Sequence, residues 1–493
     1  MRNAKNRQKR DWMFFGAASI LDPWDLHNEV VNRDLQFSAE RMREIGYRVV
    51  DRLVEHLATL PEQRVGTKAD PSKLIAQLRE PAPEQGTPFE TVLEQLERDI
   101  LRNTMHVNHP RFLAYVPGPS NFVGAMADAL VSGYNVFAGT WVSGSGPAAL
   151  ELATIDWLRQ ACGLPETAGG LFVSGGTMAN LTALTVARHA TIQNGAENAT
   201  VYFSDQAHSS LEKALRMIGV PTENFRKLPS DSNFRIPLRE LAAAIQEDRA
   251  AGRRPFCVIA SAGTTNTGAI DPLAELSVLC REQHLWLHVD GAYGAAAVIS
   301  KRGGELLGAI ALADSLSLDP HKWLFQPFEI GCVLIREMSL LRETFRVQPE
   351  YLKDTQHNLA EFNFTDHGLQ LTRGFRALKL WMSIKVFGMA SFRAAIDRGF
   401  ELAEFAEALL RKMPGWEIIT PAQMAVVCFR YSAADDALHL RLVQAMLEDG
   451  FALITSTVLR GRTVLRVCTI NPRTTEDDLE RSFERLEHLR LKF

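Results

Sequence analysis

The sequence predicts an α/β fold: a mostly parallel central sheet with helices on both faces, a helical N-terminal arm and a small C-terminal α/β domain. Three observations lead there. Short apolar runs recur from about residue 122 onward, and they read as buried strands rather than half-exposed ones. Helical stretches separate them, and strand–helix alternation at this spacing implies a parallel sheet. No internal repeat or low-complexity tract points to another architecture.

The elements follow in order. Residues 23–36 read as an irregular arm. A helix is expected from near Ser38, with Glu40 in its first turn and Met42, Ile45, Val49, Leu53 and Leu57 on one face. Pro61 ends it. A second amphipathic helix is expected from about Pro88 to Leu101. The predicted strands are Leu171–Val173, Val201–Ser204, Cys257–Ala260, Leu285–Val289, Ser315–Leu318 and Gly331–Ile335. Helices at Ala179–Ala190, Leu238–Ala250 and Leu273–Gln283 lie between them. The last section adds a helix at Leu402–Lys412, a strand at Val426–Phe429, a helix at Ala437–Leu447, a strand at Val464–Val467 and a final helix from Thr475. The expected domains are 1–121, a helical arm, 122–378, the large sheet domain, and 379–493, the small C-terminal domain.

Composition narrows the function classes. The chain has 493 residues, and 54 Lys and Arg nearly balance 58 Asp and Glu, which argues against nucleic acid as a partner. Six cysteines are few and irregularly spaced, and no C-x-x-C pair occurs. They read as reduced, buried thiols of a cytoplasmic protein rather than as zinc ligands. No run of about 18 uncharged apolar residues suggests a membrane span. The basic residues Arg2, Lys5, Arg7, Lys9 and Arg10 precede an apolar Met13–Leu21 stretch, which mimics an export signal. Asp11 interrupts the junction and the cleavage pattern is poor, so a frayed basic tail is expected instead.

Four motifs carry chemistry. Phe172-Val173-Ser174-Gly175-Gly176-Thr177-Met178-Ala179-Asn180 is a strand, a glycine turn and then a helix. Paired glycines admit a ligand close to the backbone, and free N–H groups at the helix start suit an anion such as phosphate. Without the lysine of a P-loop, a nucleoside triphosphate is not implied. Asp205-Gln206-Ala207-His208-Ser209-Ser210 follows a strand, so His208 lies at the sheet's carboxyl edge; the serines serve equally as a helix cap. His288-Val289-Asp290 ends an apolar strand, a poor place for a carboxylate unless something pairs with it, for which a protonated ring nitrogen would serve. His284 and His288 are four strand residues apart, about 13 Å, too far to share a metal ion. Ser317-Leu318-Asp319-Pro320-His321-Lys322-Trp323 places a lysine at a strand end among poorly solvated neighbours, where desolvation favours a nucleophilic amine.

Together these are the parts that pyridoxal 5′-phosphate requires: a phosphate cradle, a histidine able to stack, a carboxylate for the pyridine nitrogen and a Schiff-base lysine. At this point the sequence closely resembles the group II pyridoxal-phosphate decarboxylases. The resemblance rests on Pro320-His321-Lys322-Trp323, Asp205-Gln206-Ala207-His208-Ser209-Ser210 and His288-Val289-Asp290 with Ala292-Tyr293. It extends to His109-Pro110, Ala114-Tyr115, Glu151 with Asp156-Trp157-Leu158, and Phe375-Arg376-Ala377-Leu378-Lys379-Leu380-Trp381. It runs from about Phe37 to the C-terminal helix.

The resemblance implies a fold-type I enzyme, a homodimer with sites at the interface, that decarboxylates an L-amino acid, expected to be aromatic. It implies that Lys322 carries the cofactor as a Schiff base, that Asp290 keeps the pyridine nitrogen protonated, and that His208 and Ala292 flank the ring. Gly176, Thr177 and His321 match phosphate-binding positions, and Thr265 a position near the ring substituents. Asp319 matches a cofactor-binding, phosphate-contact position where the family often has Asn. Tyr351 matches a loop tyrosine that returns a proton to Cα, whereas relatives with Phe there make aldehydes. Tyr115, Pro117 and Phe137, the last from the partner chain, match substrate-binding positions. Val107, Val116 and Gly139 replace aromatic residues of relatives acting on aromatic acids, so a wider or less aromatic pocket is expected. The alternatives are an aldehyde-forming oxidative deaminase on the same fold and an inactive cofactor-holding scaffold. No metal site and no nucleic-acid or membrane partner is expected.

Overall fold

Short, mostly apolar runs leave no side for solvent, so they form strands only where both faces are covered. Six such runs do so in the computed structural model, which describes residues 35–193, 196–347 and 361–493. The chain divides into two units, one ending at Leu57 and one running Ala58–Phe493. The first carries most of α1 (Ala39–Thr59), a helix with no buried residue. Its start and end agree with the expectation from Ser38 and Pro61.

The second unit opens with α2 (Pro71–Leu78), α3 (Phe89–Gln95), α4 (Phe122–Tyr134) and α5 (Trp141–Ala161). The helix expected to reach Leu101 instead leaves α-geometry after Gln95, passing through a π-turn at Leu96–Ile100. Then come β1 (Gly169–Val173), α6 (Gly176–Thr191), β2 (Ala199–Ser204), α7 (Ser209–Met217), β3 (Phe225–Leu228), α8 (Leu238–Ala250), β4 (Arg254–Ser261), α9 (Leu273–Glu282), β5 (Trp286–Asp290), α10 (Lys301–Leu307), β6 (Ser315–Leu318), β7 (Gly331–Ile335) and α11 (Ser339–Phe345). The seven strands form one sheet in the order β1-β7-β6-β5-β4-β2-β3. β3, β2, β4, β5 and β6 run parallel, and β7 is antiparallel to both its neighbours, β6 and β1. β1 and the five parallel strands therefore end at the same edge. Crossover helices force that common edge, because each strand must be re-entered from the same side.

The C-terminal part contains α12 (Ala377–Lys412), β8 (Trp416–Gln423), β9 (Val426–Tyr431), α13 (Asp436–Asp449), β10 (Thr455–Leu459), β11 (Arg462–Cys468) and α14 (Glu476–Arg490). Its four strands form an antiparallel sheet, β10-β11-β9-β8. The helix expected from Leu402 begins at Ala377, with a break at Gly388, where φ is 74° and a side chain would be strained. Thr475 caps α14 through a reciprocal pair with Asp478. All six cysteines are buried and unbridged. Burial pushes the Cys162 thiol up to about 12. Among the described residues, no helix is long and apolar enough to cross a membrane.

Candidate active site

The common edge of the sheet is where β1, β2, β5 and β6 each hand the chain to a loop. Gly175 and Gly176 follow β1, His208 follows β2, Asp290 ends β5, and Asp319 to Lys322 follow β6. These loops enclose a cavity of about 370 Å3. Gly176, Thr177, His208, Thr265, Asp290, Ala292, Asp319, His321 and Lys322 all line it. A parallel sheet makes this convergence, since every strand releases its loop on the same side.

Each wall has a local cause. Gly176 has no room for a side chain: a Cβ there would stand 2.9 Å from the Ala292 Cβ and 3.0 Å from Asp319 Oδ2. The turn therefore needs glycine for close packing, and α6 starts with its N–H groups unshielded. Asp290 is buried, yet it is not stranded. Its Oδ1 accepts from Ser317 Oγ at 3.0 Å and from the Ala292 N–H at 3.1 Å, and its Oδ2 accepts from Asn180 Nδ2 at 3.1 Å. His208 is the N-cap of α7, its Nδ1 accepting from the Ser210 N–H at 3.2 Å. The capping role expected of the serines thus falls to the histidine.

Lys322 Nζ is 2.9 Å from Asp319 Oδ2, while the other oxygen of the buried Asp319 carboxylate has no partner among the described residues. His321 Nδ1 donates to the Ile330 carbonyl at 2.7 Å, and burial lowers its pKa. Trp323 next door is buried and stacks on Tyr293 with centroids 5.4 Å apart, which anchors the lysine loop to the cavity wall.

Other expected residues lie elsewhere. Tyr115, Pro117 and Phe137 do not line this cavity within one chain. Tyr115 is exposed with φ at 53°, and its carbonyl accepts from Arg466 Nη1 at 2.7 Å. Tyr351 lies outside the described residues, as do the basic tail and most of the arm. His288, considered above only as a metal ligand, is buried in β5 and bonded to Asn180 and Ser315. Asn180, Ser210, Gln206 and Tyr293 also line the cavity. They stand within or beside the quoted motifs, but the motifs assigned none of them a cofactor or substrate role, and Ser210 only that of a helix cap.

The chain matches the family model for the pyridoxal-dependent decarboxylase conserved domain over residues 71–432. It is 48% identical to an aromatic-L-amino-acid decarboxylase of Bacillus atrophaeus, covering 91% of this chain and 95% of that one. It is 31% identical to a phenylacetaldehyde synthase of Arabidopsis thaliana, covering 94% of this chain and 95% of that one. The fold superposes on a crystal structure of Catharanthus roseus tryptophan decarboxylase in complex with L-tryptophan with a TM-score of 0.87 at 27% identity, covering 92% and 99% of the two chains. A structure of Oryza sativa TDC with PLP and tryptamine gives a TM-score of 0.88 at 27% identity, with the same coverage.

Proposed function

The chain belongs to the pyridoxal-dependent decarboxylases, and from that premise we propose that it converts an aromatic L-amino acid to the corresponding amine and CO2. It is a carboxy-lyase, its cofactor is pyridoxal 5′-phosphate and its fold is fold-type I. The aromatic class is supported by the relatives named above. The observation that carries the site is the meeting of Lys322, Asp290, His208 and the Gly175–Thr177 turn on one cavity.

The residues present fit that cofactor. The Cβ-free turn at Gly176 leaves α6 open to a phosphate, and the three-donor setting of Asp290 holds a carboxylate ready for a ring N–H. The bound cofactor supplies an electron sink for the pair left when CO2 departs. The chain's own groups do the rest. The α6 N–H groups and Thr177 hold the phosphate, with His321 beside them. The Lys322 amine is the covalent anchor, and Asp319 orients it. Asp290 holds the proton on the pyridine nitrogen. His208 and Ala292 would flank the ring, and Thr265, which lines the same cavity, would stand near its substituents. Tyr351 returns the proton to Cα.

A homodimer is the proposed assembly, with Tyr115, Pro117 and the partner's Phe137 at the substrate. The apolar face of α1, where Met42, Val49 and Leu53 are exposed in a single chain, supports it. Buried, unbridged thiols support the cytoplasm as location. Residues 122–378 are proposed as the cofactor-binding domain and 379–493 as the small one, after an arm over 1–121.

Assay of the holoenzyme with the common L-amino acids, following CO2, amine, ammonia and peroxide, tests the reading. Amine and CO2 from aromatic acids are expected; turnover only of non-aromatic acids would overturn the substrate class. The similarity to a phenylacetaldehyde synthase keeps a second reading, for which aldehyde, ammonia and peroxide in air would be the products. The proton donor separates the two. Tyr351→Phe is expected to lose amine and gain aldehyde, with CO2 release partly kept. Amine at the parental rate would remove Tyr351 from the role.

A further inference from the structure

Behind the cavity runs a chain of buried polar groups that the mechanism above does not use. Trp286 Nε1 donates to Ser315 Oγ at 2.8 Å, and Ser315 Oγ is 2.9 Å from His288 Nδ1. His288 Nε2 is 3.0 Å from Asn180 Oδ1. Asn180 Nδ2 then stands 3.1 Å from both Asp290 Oδ2 and Ser210 Oγ, and Ser210 Oγ is 2.8 Å from His208 Nδ1.

The two ends fix the direction of every bond. An indole N–H only donates and a carboxylate only accepts. Asp290 must therefore receive the Asn180 amide N–H, which turns the Asn180 oxygen to His288. His288 answers with Nε2–H, so its Nδ1 accepts the Ser315 hydroxyl proton, and that hydroxyl accepts from Trp286. Burial lowers His288 to about 4, which keeps the ring in the neutral form this pattern uses. The second Asn180 N–H goes to Ser210, whose own proton goes to His208 Nδ1. His208 then carries its ring hydrogen on Nε2.

We propose that Asn180, locked by His288, is a positioning residue for the decarboxylation: it holds the Asp290 carboxylate toward the cofactor's pyridine nitrogen and, through Ser210, sets the His208 ring. The inference rests on the assignment of Asp290 to that nitrogen. Asn180 supplies the only donor to Asp290 Oδ2 among the described residues, while Ser317 and Ala292 hold Oδ1. Losing it frees one oxygen without removing the carboxylate.

The experiment is nitrogen NMR of holoenzyme reconstituted with pyridoxal 5′-phosphate labelled with 15N in the ring. The resonance reports whether the ring nitrogen is protonated, which a purely structural defect would not alter. Asn180→Leu is expected to move it toward the unprotonated position and to lower kcat about tenfold or more, with KM within about threefold. His288→Gln keeps an N–H for the Asn180 oxygen and is expected to hold the parental resonance, whereas His288→Leu is expected to shift it. A parental resonance in folded Asn180→Leu would overturn the proposal. Should Asn180→Leu not fold, equal resonances in the two His288 variants would overturn it. Parent protein that fails to bind the labelled cofactor would overturn the decarboxylase site itself, and this proposal with it.

Discussion

At the level of single residues, chemistry and burial have to be read together. Lys322, Asp290 and His208 stood out because each is a reactive type at a strand end, where a side chain has little reason to be polar. The covalent role of Lys322 predicts that Lys322→Ala loses the visible absorbance of protein-linked cofactor and essentially all turnover, while phosphate contacts at α6 still retain free cofactor. Normal turnover in that variant would remove Lys322 from the mechanism. Asp290→Ala leaves the pyridine nitrogen without its partner. Charge-stabilising groups at a reacting centre typically contribute about 3–4 kcal/mol, so kcat should fall on the order of a hundredfold or more. A decrease of only a few-fold would sink the role. The roles of Asn180, Ser210 and Ser315 beside these groups were not legible, because amides and hydroxyls occur everywhere in a sequence. Only the fold brings Asn180 within hydrogen-bond distance of Asp290 and Ser210, and Ser315 within that of His288.

At the level of elements, the fully buried strands were legible, β1 at a sheet edge included, and the partly exposed edge strands β3 and β10 were not. β1, β2, β5, β6 and β7 are buried along their whole length, so their sequences carry no polar residue that a core would reject without a partner. β3, with Arg226 and Lys227, and β10 face solvent at sheet edges, and edge positions admit charge. β7 shows how tightly elements meet at the site. A Cβ on Gly331 would stand 2.5 Å from the Gly175 Cα and 2.8 Å from Asp319 Oδ1. Gly331→Ala should therefore cost about 1–3 kcal/mol and weaken cofactor binding, by pushing on the glycine turn. Gly308→Ala, with no atom within 4 Å of the new Cβ, is the matched control. Equal denaturation midpoints and cofactor affinities in the two variants would refute the packing argument. Helix α5 is held to β1 by a buried pair: Arg373 Nη2 donates to Glu151 Oε1 at 2.6 Å and to the Phe172 carbonyl at 2.8 Å, and Glu151 accepts from the Phe172 N–H. Arg373→Met should cost about 3–5 kcal/mol, since it strands a buried carboxylate. A loss under 1 kcal/mol in equilibrium unfolding would contradict that.

Across the whole molecule, burial couples stability to pH through its buried histidines, His109 and His288 among them. Burial, aided by the charge of Arg111, lowers His109 to about 4, and burial lowers His288 to about 4. In the unfolded chain both titrate near 6.5. Between those values each of these histidines holds more protons in the unfolded state than in the native one, so its contribution to stability rises with pH through the window and is lost on acidification from about 6.5 toward 4. Each group can contribute a slope of up to about 1.4 kcal/mol per pH unit. His109→Gln keeps a donor for the Gln63 carbonyl, which lies 3.1 Å from His109 Nε2, and should flatten the dependence of unfolding free energy on pH. An unchanged slope between pH 6.5 and 4.5 would remove His109 from that coupling.

The sequence by itself determined the α/β class, the places of the buried strands along the chain and the four loops that carry the chemistry. It could do so because apolar runs and strand-end polar residues are local signals, readable wherever solvation cost forces a residue choice. Tertiary structure alone decided the rest: the antiparallel turn of β7, the break in α12, and the chain from Trp286 through Asn180 to Asp290. Those features depend on distances between elements far apart in the chain, such as Asn180 and Asp290, and no local pattern records them. Hydrogen-bond direction in that chain is likewise a property of its two ends, which only folding brings into one line.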